Sequence, residues 1–170
     1  MGKIVDIHHL AKIGLFAGLT EEQVAKVAKV ISPREYPTKA IIIHEGEIGS
    51  ELFMLLSGDI EITKRLTLSS SAGSDIKDKS LIRLKDSDNV FFGEMSMFGS
   101  EERSATVAAL TPVTLGVLTR DQVTALAEQD PDLGFHIYYN IGQKLAGNLR
   151  RANRDILKLT TAFCLALEGK

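Results

Sequence analysis

The sequence has little of several features that mark particular classes of protein. Its 170 residues include a single cysteine, Cys164, which excludes a framework of intramolecular disulfides. The apolar residues around Cys164 predict a buried or interface thiol rather than a reactive one. No apolar run reaches the roughly 18–20 residues that cross a bilayer, and the N-terminus lacks the apolar core of a signal peptide. We therefore expect no membrane association and a cytoplasmic location.

The sequence also lacks an excess of one charge and a recognisable set of catalytic groups. The formal net charge of -2, with acids and bases interspersed, gives no bulk electrostatic attraction for nucleic acid. The basic run Arg150, Arg151 and Arg154 is expected to be a solvated helix face, with partner binding as the alternative. The four histidines are scattered, so they do not form the ligand cluster of a metal-dependent barrel enzyme. With no Gly-x-Ser-x-Gly motif and no cysteine beside an evident base, the sequence predicts a protein that is not an enzyme and holds no cofactor or metal.

The composition that is present, 44% hydrophobic and 25% charged, is that of an ordinary globular protein of one domain. Its patterns divide this domain into three parts. Residues 1–38 predict N-terminal helices, one of which begins at Thr20, where Gln23 completes a capping-box spacing. Residues 39–120 predict strands, and residues 121–170 predict a C-terminal helix.

The middle part alternates short apolar runs with glycine-marked turns. Apolar runs occur at 41–43, 52–56 and 113–118, and Gly58 marks a tight turn. Many short strands without long helices between them predict an antiparallel sandwich or barrel. The small polar residues at 67–80 predict a flexible loop between two strands.

The last part predicts one long helix, which begins around Pro131 and meets no breaker before Gly169. Two apolar rows repeat every seven residues: Tyr138, Leu145, Ala152 and Leu159, and beside them Gly142, Leu149, Ile156 and Phe163. This heptad pattern predicts a homodimer formed through the helix. The alternative is that the helix packs only against its own barrel.

One segment, residues 91–107, carries the residues of a binding site. Gly93 lets the chain turn sharply, and the residues after it can present free N–H groups to an anion. Arg103, nine residues after Glu94, offers a planar guanidinium to two phosphate oxygens, and Ser104 adds a hydroxyl and an N–H. The Glu94 carboxylate can accept a hydrogen bond from a sugar hydroxyl.

Each of these side chains also has a purely structural explanation. Arg103 could form a surface ion pair with Glu101 or Glu102, although such pairs contribute little stability. Glu94 could cap a helix start, and Ser104 could be a strand-edge serine with no ligand. The nine-residue spacing behind a glycine favours the binding site.

The order of these motifs resembles the cyclic nucleotide-binding domain family, which includes bacterial catabolite activators and regulatory subunits of cyclic-AMP-dependent kinase. Residues 92–107 match that family's phosphate-binding cassette: Phe92-Gly93-Glu94, a short apolar turn, then Arg103-Ser104-Ala105-Thr106-Val107. The resemblance covers about residues 13–150. It implies a mainly β fold, a jelly-roll-like β-roll with N-terminal helices and a long C-terminal helix.

The resemblance also implies roles for individual residues. Glu94 would bind the ribose 2′-hydroxyl of the ligand, and Arg103 its cyclic phosphate. The expected ligand-binding set is Phe92, Gly93, Glu94, Met95, Ser96, Arg103, Ser104 and Ala105, in which backbone amides supply further donors. A lid from residues 139–154 would close over the base, with Asn148 and then Arg151 as candidates that contact its edge. Ser96 departs from the family, in which a small apolar residue is common at this position.

The ligand expected from this resemblance is a cyclic nucleotide, with cyclic AMP favoured over cyclic GMP. The reason is Ser104, because a threonine after the phosphate arginine tends to accompany cyclic GMP. Ligand would draw the cassette and the lid together, and the C-terminal helix would report the change to a downstream effector that the sequence does not name.

Two other functions are compatible with parts of this pattern. The first is a transcriptional regulator of catabolite-activator type, lacking or separated from its DNA-binding domain. About twenty residues follow Arg150, too few for a helix-turn-helix domain, so we expect no DNA binding by this chain alone. The second is a cupin-like enzyme, which the sequence disfavours because it would need clustered metal ligands.

Overall fold

The computed structural model describes residues 6–70, 73–99 and 102–168. The α-helices are α1 (Ile7–Leu10), α2 (Glu21–Val30), α3 (Arg120–Gln129) and α4 (Pro131–Glu168). The strands are β1 (Ser32–Tyr36), β2 (Ile41–Ile43), β3 (Glu51–Ser57), β4 (Asp59–Ser70), β5 (Gly73–Lys85), β6 (Phe91–Phe92), β7 (Thr106–Ala109) and β8 (Val113–Thr119). Short 3-10 helices cover Gly14–Phe16, Asp86–Asp88 and Glu94–Met97.

The strands form two antiparallel sheets that pack against each other as a roll. One sheet has the strand order β1-β8-β3-β6, and the other has the order β2-β7-β4-β5. The helices lie before and after the roll in the chain, and α4 is by far the longest of those described. This arrangement confirms the predicted fold class, a mainly β roll with N-terminal helices and a long C-terminal helix.

Strand β3 shows how the roll lies between two cores. Phe53 and Leu55 belong to the core between the sheets, together with Ile60 of the opposite sheet. Leu52 and Met54, which alternate with them, belong to the core that joins this sheet to the helices. Because successive side chains of a strand point to opposite faces, a strand buried on both faces needs a continuous apolar run. The sequence of β3 is such a run.

The N-terminal helical part is present but interrupted. Its helices α1 and α2 are separated by the 3-10 helix Gly14–Phe16 and a left-handed Gly18. The predicted capping box is confirmed, because Thr20 Oγ1 accepts from Gln23 N at 3.2 Å and Gln23 Oε1 accepts from Thr20 N at 3.0 Å. Residues 1–5 of this part lie outside the described residues.

The strand prediction was wrong for residues 67–80, which were expected to be a flexible loop. Residues 67–70 and 73–80 belong to β4 and β5, which pair from Asp59↔Lys85 to Ser70↔Gly73. Residues 71–72 lie outside the described ranges. The hydrogen bonds of a strand pair join backbone groups, so small polar residues can pair without an apolar face.

Strand β1 was missed by the sequence analysis, which assigned residues 1–38 to helices. It contains Pro33, which has no N–H to donate to a neighbouring strand. In the structure β1 is an edge strand that pairs with β8, a position where proline is tolerated.

Helix α4 packs on the roll through its first part. Leu133, Ile137 and Ile141 are fully buried in the helical core, whereas the large apolar side chains from Leu149 onward are more than half exposed. The prediction of one continuous helix is confirmed. Cys164, expected to be buried or at an interface, is exposed in the isolated chain because α4 has left the roll at that point.

Gly134 of α4 lies against Ala127 of α3 at a distance that excludes a side chain. A Cβ at Gly134 would lie 2.4 Å from the Cβ of Ala127, whereas a Cβ at Gly147 would meet nothing within 4 Å. We expect Gly134→Ala to lower the free energy of unfolding by about 1–3 kcal/mol through overpacking. Gly147→Ala, the control in the same helix, should leave that free energy unchanged or raise it by up to about 1 kcal/mol through helix propensity. Urea unfolding of the ligand-free protein measures both, and equal effects would contradict the close packing of α3 and α4.

Candidate functional site

The site begins where β6 ends, at Gly93. Gly93 has φ of +81°, a left-handed conformation in which a residue with a side chain is strained. A Cβ there would also lie 2.9 Å from the carbonyl oxygen of Glu51 and 3.0 Å from Arg103 Nη1. Glycine therefore permits both the turn and the close approach of Arg103. The chain continues as the 3-10 helix Glu94–Met97, which we call the cassette turn.

Arg103 follows the cassette turn and is held by its backbone and by its side chain. Its N–H donates to the carbonyl of Glu47 at 2.8 Å, and its own carbonyl accepts from Gly46 N at 2.9 Å. The residue is 8% exposed. Nη1 donates to the Glu51 carbonyl at 3.0 Å, and Nη2 lies 3.4 Å from Glu51 Oε2. The guanidinium also lies over the Phe53 ring, 5.6 Å from its centroid.

The buried guanidinium is a positive charge inside the protein. Burial lowers the pKa of Arg103, while Glu51 and Glu47 act in the opposite direction, and an arginine side chain stays protonated in proteins. Its ion pair in the described part of the chain is with Glu51 and not with Glu102, the partner of the surface alternative; Glu101 lies outside that part. Glu51 was not among the predicted site residues, because it lies 52 positions before Arg103 in the sequence and outside the cassette.

The hydrogen bonds of the Ser96 hydroxyl give a reason for a serine at a position where the family commonly has a small apolar residue. It is 4% exposed, and its hydroxyl oxygen lies 2.7 Å from the Gly93 carbonyl and 3.1 Å from the Glu51 carbonyl. The same oxygen accepts a hydrogen bond from Arg103 Nη1 at 3.2 Å. A small apolar residue would leave Arg103 Nη1 with one acceptor fewer.

Glu94 is the second buried ionisable residue of the site, 7% exposed, and it contacts α4. Its Oε1 accepts from Asn148 Nδ2 at 3.2 Å, and its Oε2 lies 3.5 Å from Lys144 Nζ. Lys144 also donates to the Phe91 carbonyl and lies over the Phe91 ring, 4.1 Å from its centroid. Lys144 was not among the predicted site residues, because it lies 50 residues beyond Glu94 and belongs to no motif of the cassette. The capping-carboxylate explanation of Glu94 does not account for these contacts.

A cavity of about 980 Å³ lies over the cassette turn. All ten residues predicted for the site line it: Phe92, Gly93, Glu94, Met95, Ser96, Arg103, Ser104, Ala105, Asn148 and Arg151. The side chains of β4, β5 and β7 form an apolar wall. Helix α4 adds Lys144 and Gly147, which lie within the predicted lid, and Asp155, which lies just beyond it. The folded chain thus brings together an anion-binding end at Arg103, an acceptor at Glu94 and an apolar wall.

Two further properties concern the whole described part of the chain. Over residues 6–70, 73–99 and 102–168, no helix combines the length and the hydropathy that a membrane span requires. Over the same residues, no three or more histidine, cysteine, aspartate or glutamate side chains are grouped as metal ligands.

The fold is a β-roll with flanking helices, and its cavity is lined by a buried arginine, a left-handed glycine turn and a carboxylate that contacts the following helix. The family model described as "Cyclic nucleotide-binding domain" matches residues 33–130. The chain belongs to the cyclic nucleotide-binding domain family, as its motifs predicted.

Proteins similar to this chain include regulators and kinases. A CRP-like cAMP-activated global transcriptional regulator of Mycobacterium tuberculosis is 27% identical over 150 residues, which are 88% of this chain and 61% of that protein. A cAMP-dependent protein kinase regulatory subunit of Mycosarcoma maydis is 33% identical over 94% of this chain and 30% of that protein. A cGMP-dependent protein kinase of Caenorhabditis briggsae is 31% identical over 71% of this chain and 15% of that protein. The chain therefore spans less than two thirds of each of these relatives.

Solved structures show the same fold. The crystal structure of the Thermus thermophilus catabolite activator protein superposes with a TM-score of 0.72 at 28% identity, covering 86% of this chain and 63% of that one. A cyclic nucleotide-binding domain from Methylobacillus flagellatus superposes with the same TM-score at 24% identity, covering 89% and 80%. The second likeness supports the fold alone.

Lys144, whose side chain is 27% exposed, predicts a pH dependence of stability. Burial lowers the pKa of Lys144 from its ordinary value of 10.5, and Glu94 opposes the shift. Between the lowered pKa and 10.5, the unfolded chain then binds more protons than the folded protein, a condition under which stability rises with pH. We expect the free energy of unfolding of the native protein, relative to that of Lys144→Met, to increase from neutral pH to pH 10.5.

Urea unfolding at several pH values measures this difference. Lys158→Met, which removes an exposed lysine from the same helix, is the control. A difference that stays constant or falls with pH would contradict the burial of the Lys144 ammonium group.

Proposed function

We propose that this domain is a sensor that binds one cyclic nucleotide in the cavity over the cassette turn and transmits binding through α4. The observation that supports this most directly is the lining of one cavity by a buried guanidinium, Arg103, and a buried carboxylate, Glu94. A ligand that carries an anion and a hydroxyl at a fixed distance can satisfy both groups. A cyclic nucleotide has such a pair in its phosphate and its 2′-hydroxyl.

At the phosphate end, Arg103 would supply a charge that is already desolvated and oriented. Burying a charge without a partner is costly, and Glu51 offsets part of this cost with one ion pair and one carbonyl contact. An anionic phosphate would add charge-assisted hydrogen bonds to the same guanidinium. The left-handed Gly93 leaves room for the phosphate to approach the backbone amides of the cassette turn.

At the ribose end, Glu94 would accept a hydrogen bond from the 2′-hydroxyl. In the structure its Oε1 accepts from Asn148 Nδ2 and its Oε2 lies 3.5 Å from Lys144 Nζ, both of α4. A bound ribose would share or replace the Asn148 contact, and this exchange would change the interaction of α4 with the site. A ligand that binds one arrangement of α4 better than the other shifts the equilibrium between them.

At the base end, the apolar wall of the cavity would cover the faces of the purine, and polar groups of α4 would lie at its edge. Asn148 and Arg151 line the cavity and remain our candidates for base recognition, and Asn148 also contacts Glu94. Cyclic AMP is the favoured ligand because Ser104 follows Arg103 and because two of the relatives are named for cAMP. A cGMP-dependent kinase among the relatives makes cyclic GMP the competitor to test.

Calorimetric titration with cyclic AMP and cyclic GMP tests this function. We expect the wild type to bind at least one of them more tightly than about 100 μM, near -5.5 kcal/mol. Arg103→Ala should weaken binding about 10- to 150-fold, because a hydrogen bond to a charged group contributes about 1.5–3 kcal/mol. Arg83→Ala, which removes an exposed arginine bonded to Glu61, should bind like the wild type. Wild-type binding weaker than 100 μM for both nucleotides would refute the proposal.

We also propose that a second copy of this chain covers the outer part of α4. Leu149, Ile156, Leu159, Phe163 and Leu167 are 58–72% exposed in the isolated chain. Four of these five belong to the heptad rows, and such rows bury their apolar side chains against a partner helix. In such a dimer, a ligand-dependent movement of α4 would take place at the subunit interface.

Light scattering at several protein concentrations measures the assembly. We expect the native protein to have twice the 18.5 kDa mass of the chain and Ile156→Asp to be monomeric, because a carboxylate in a helix seam would be buried without a partner. Arg154→Asp, an exposed residue on the opposite side of α4, should stay dimeric. A monomeric wild type, or equal dissociation by both substitutions, would overturn the dimer.

The remaining expectations about the chain stay predictions. They are the cytoplasmic location, the lack of catalytic activity and the lack of DNA binding by this chain alone.

A further inference from the structure

Arg120 lies outside the cassette, residues 92–107, at the junction between the roll and the C-terminal helices. It is the first residue of α3 and directly follows β8. Its backbone N–H donates to the Ser50 carbonyl at 2.9 Å, and the preceding Thr119 caps α3 by accepting from Gln122 N at 3.3 Å. These bonds fix the position of the Arg120 backbone relative to the start of β3.

The side chain of Arg120 extends from this junction back to the cassette turn. Its Nε donates to the Ser96 carbonyl at 3.0 Å, and its Nη2 donates to the carbonyls of Ser96 and Gly99. Ser96 lies within the cassette turn, and Gly99 lies two residues beyond its end. Each backbone carbonyl is a strong hydrogen-bond acceptor. A guanidinium satisfies both carbonyls at once, because its N–H groups form a rigid planar fork.

Ser96 joins this contact to the ligand site. Its carbonyl accepts from Arg120, and its hydroxyl oxygen accepts from Arg103 Nη1 at 3.2 Å. Arg120 therefore contacts the backbone of this buried residue, and Arg103 contacts its side chain. A shift of Ser96 would move an acceptor of Arg103 and, with it, the backbone that faces the cavity.

We propose that Arg120 is a positioning residue for the phosphate-binding end of the site, and that it couples the β8–α3 junction to the cassette turn through Ser96. This inference rests on the proposed cyclic nucleotide site. Arg120 does not line the cavity, so it would act on the ligand only through the cassette. Its effect should therefore be independent of the base.

The test uses the full chain and titrations with cyclic AMP and cyclic GMP. We expect Arg120→Gln to weaken both nucleotides by the same factor, roughly 10-fold, the size of one lost charge-assisted hydrogen bond. Arg120→Lys should lie between this variant and the wild type, because an ammonium group can contact the carbonyls but lacks the planar fork. Arg83→Gln is the control for loss of an exposed arginine.

A double-mutant cycle with Ser96→Ala separates positioning from a general loss of stability. If Arg120 acts through Ser96, the loss in Arg120→Gln/Ser96→Ala should be smaller than the product of the two single losses. Thermal unfolding of the ligand-free variants shows whether the fold is kept, and Arg120→Lys carries the comparison if Arg120→Gln does not fold.

Three results would overturn the inference while leaving the cyclic nucleotide site intact: wild-type affinity in Arg120→Gln, a much larger loss for one nucleotide than for the other, or losses that multiply in the double variant. Failure of the wild type to bind either nucleotide would overturn the site itself and this inference with it.

Discussion

A positive charge buried beside the cavity is the constraint on which much of this structure depends. The Arg103 guanidinium requires acceptors on several sides, and they come from Glu51 at the start of β3 and from the Ser96 hydroxyl in the cassette turn. Gly93 must lack a side chain for this arrangement, because its φ is +81° and a Cβ would lie 2.9 Å from the carbonyl oxygen of Glu51. The sheet pairing of β3 with β6 brings these groups together. An anionic ligand would complete a polar network whose protein part is already formed, which is the condition for binding without a large reorganisation.

The carboxylate of Glu94 links the same site to the helix that leaves it. Lys144 and Asn148 of α4 contact Glu94, while the first part of α4 is anchored by fully buried leucine and isoleucine side chains. Beyond Leu149 the helix has little contact with its own roll, so a change near Asn148 is not resisted by core packing further along. Arg120, at the start of α3, makes a second contact between the C-terminal helices and the cassette turn. The ligand site therefore touches the C-terminal helices at two points, one on each side of the cassette.

The sequence predicted those elements whose signal is local and missed those that depend on distant partners. The capping box at Thr20 follows from a spacing of three residues, and the structure contains it. The polar segment 67–80 was assigned to a loop because side-chain pattern was the only guide, whereas β4 and β5 are held together by backbone groups that carry no such pattern. Strand β1 was missed for a related reason, since only its place at the edge of a sheet makes Pro33 acceptable.

For the site, the sequence by itself determined the glycine turn, the Glu94–Arg103 spacing and membership of the cyclic nucleotide-binding domain family. The glycine turn and the spacing lie within residues 92–107, where a short backbone segment fixes which side chains share a surface, and the resemblance to the family extends over about residues 13–150. Only the tertiary structure decided which side chains contact Arg103, Glu94 and the backbone of the cassette turn. Glu51, Lys144 and Arg120 come from three separate elements, and their contacts with the cassette result from sheet pairing and helix packing. The physical reason is that hydrogen bonds and ion pairs act over a few ångströms in space and are indifferent to separation along the chain.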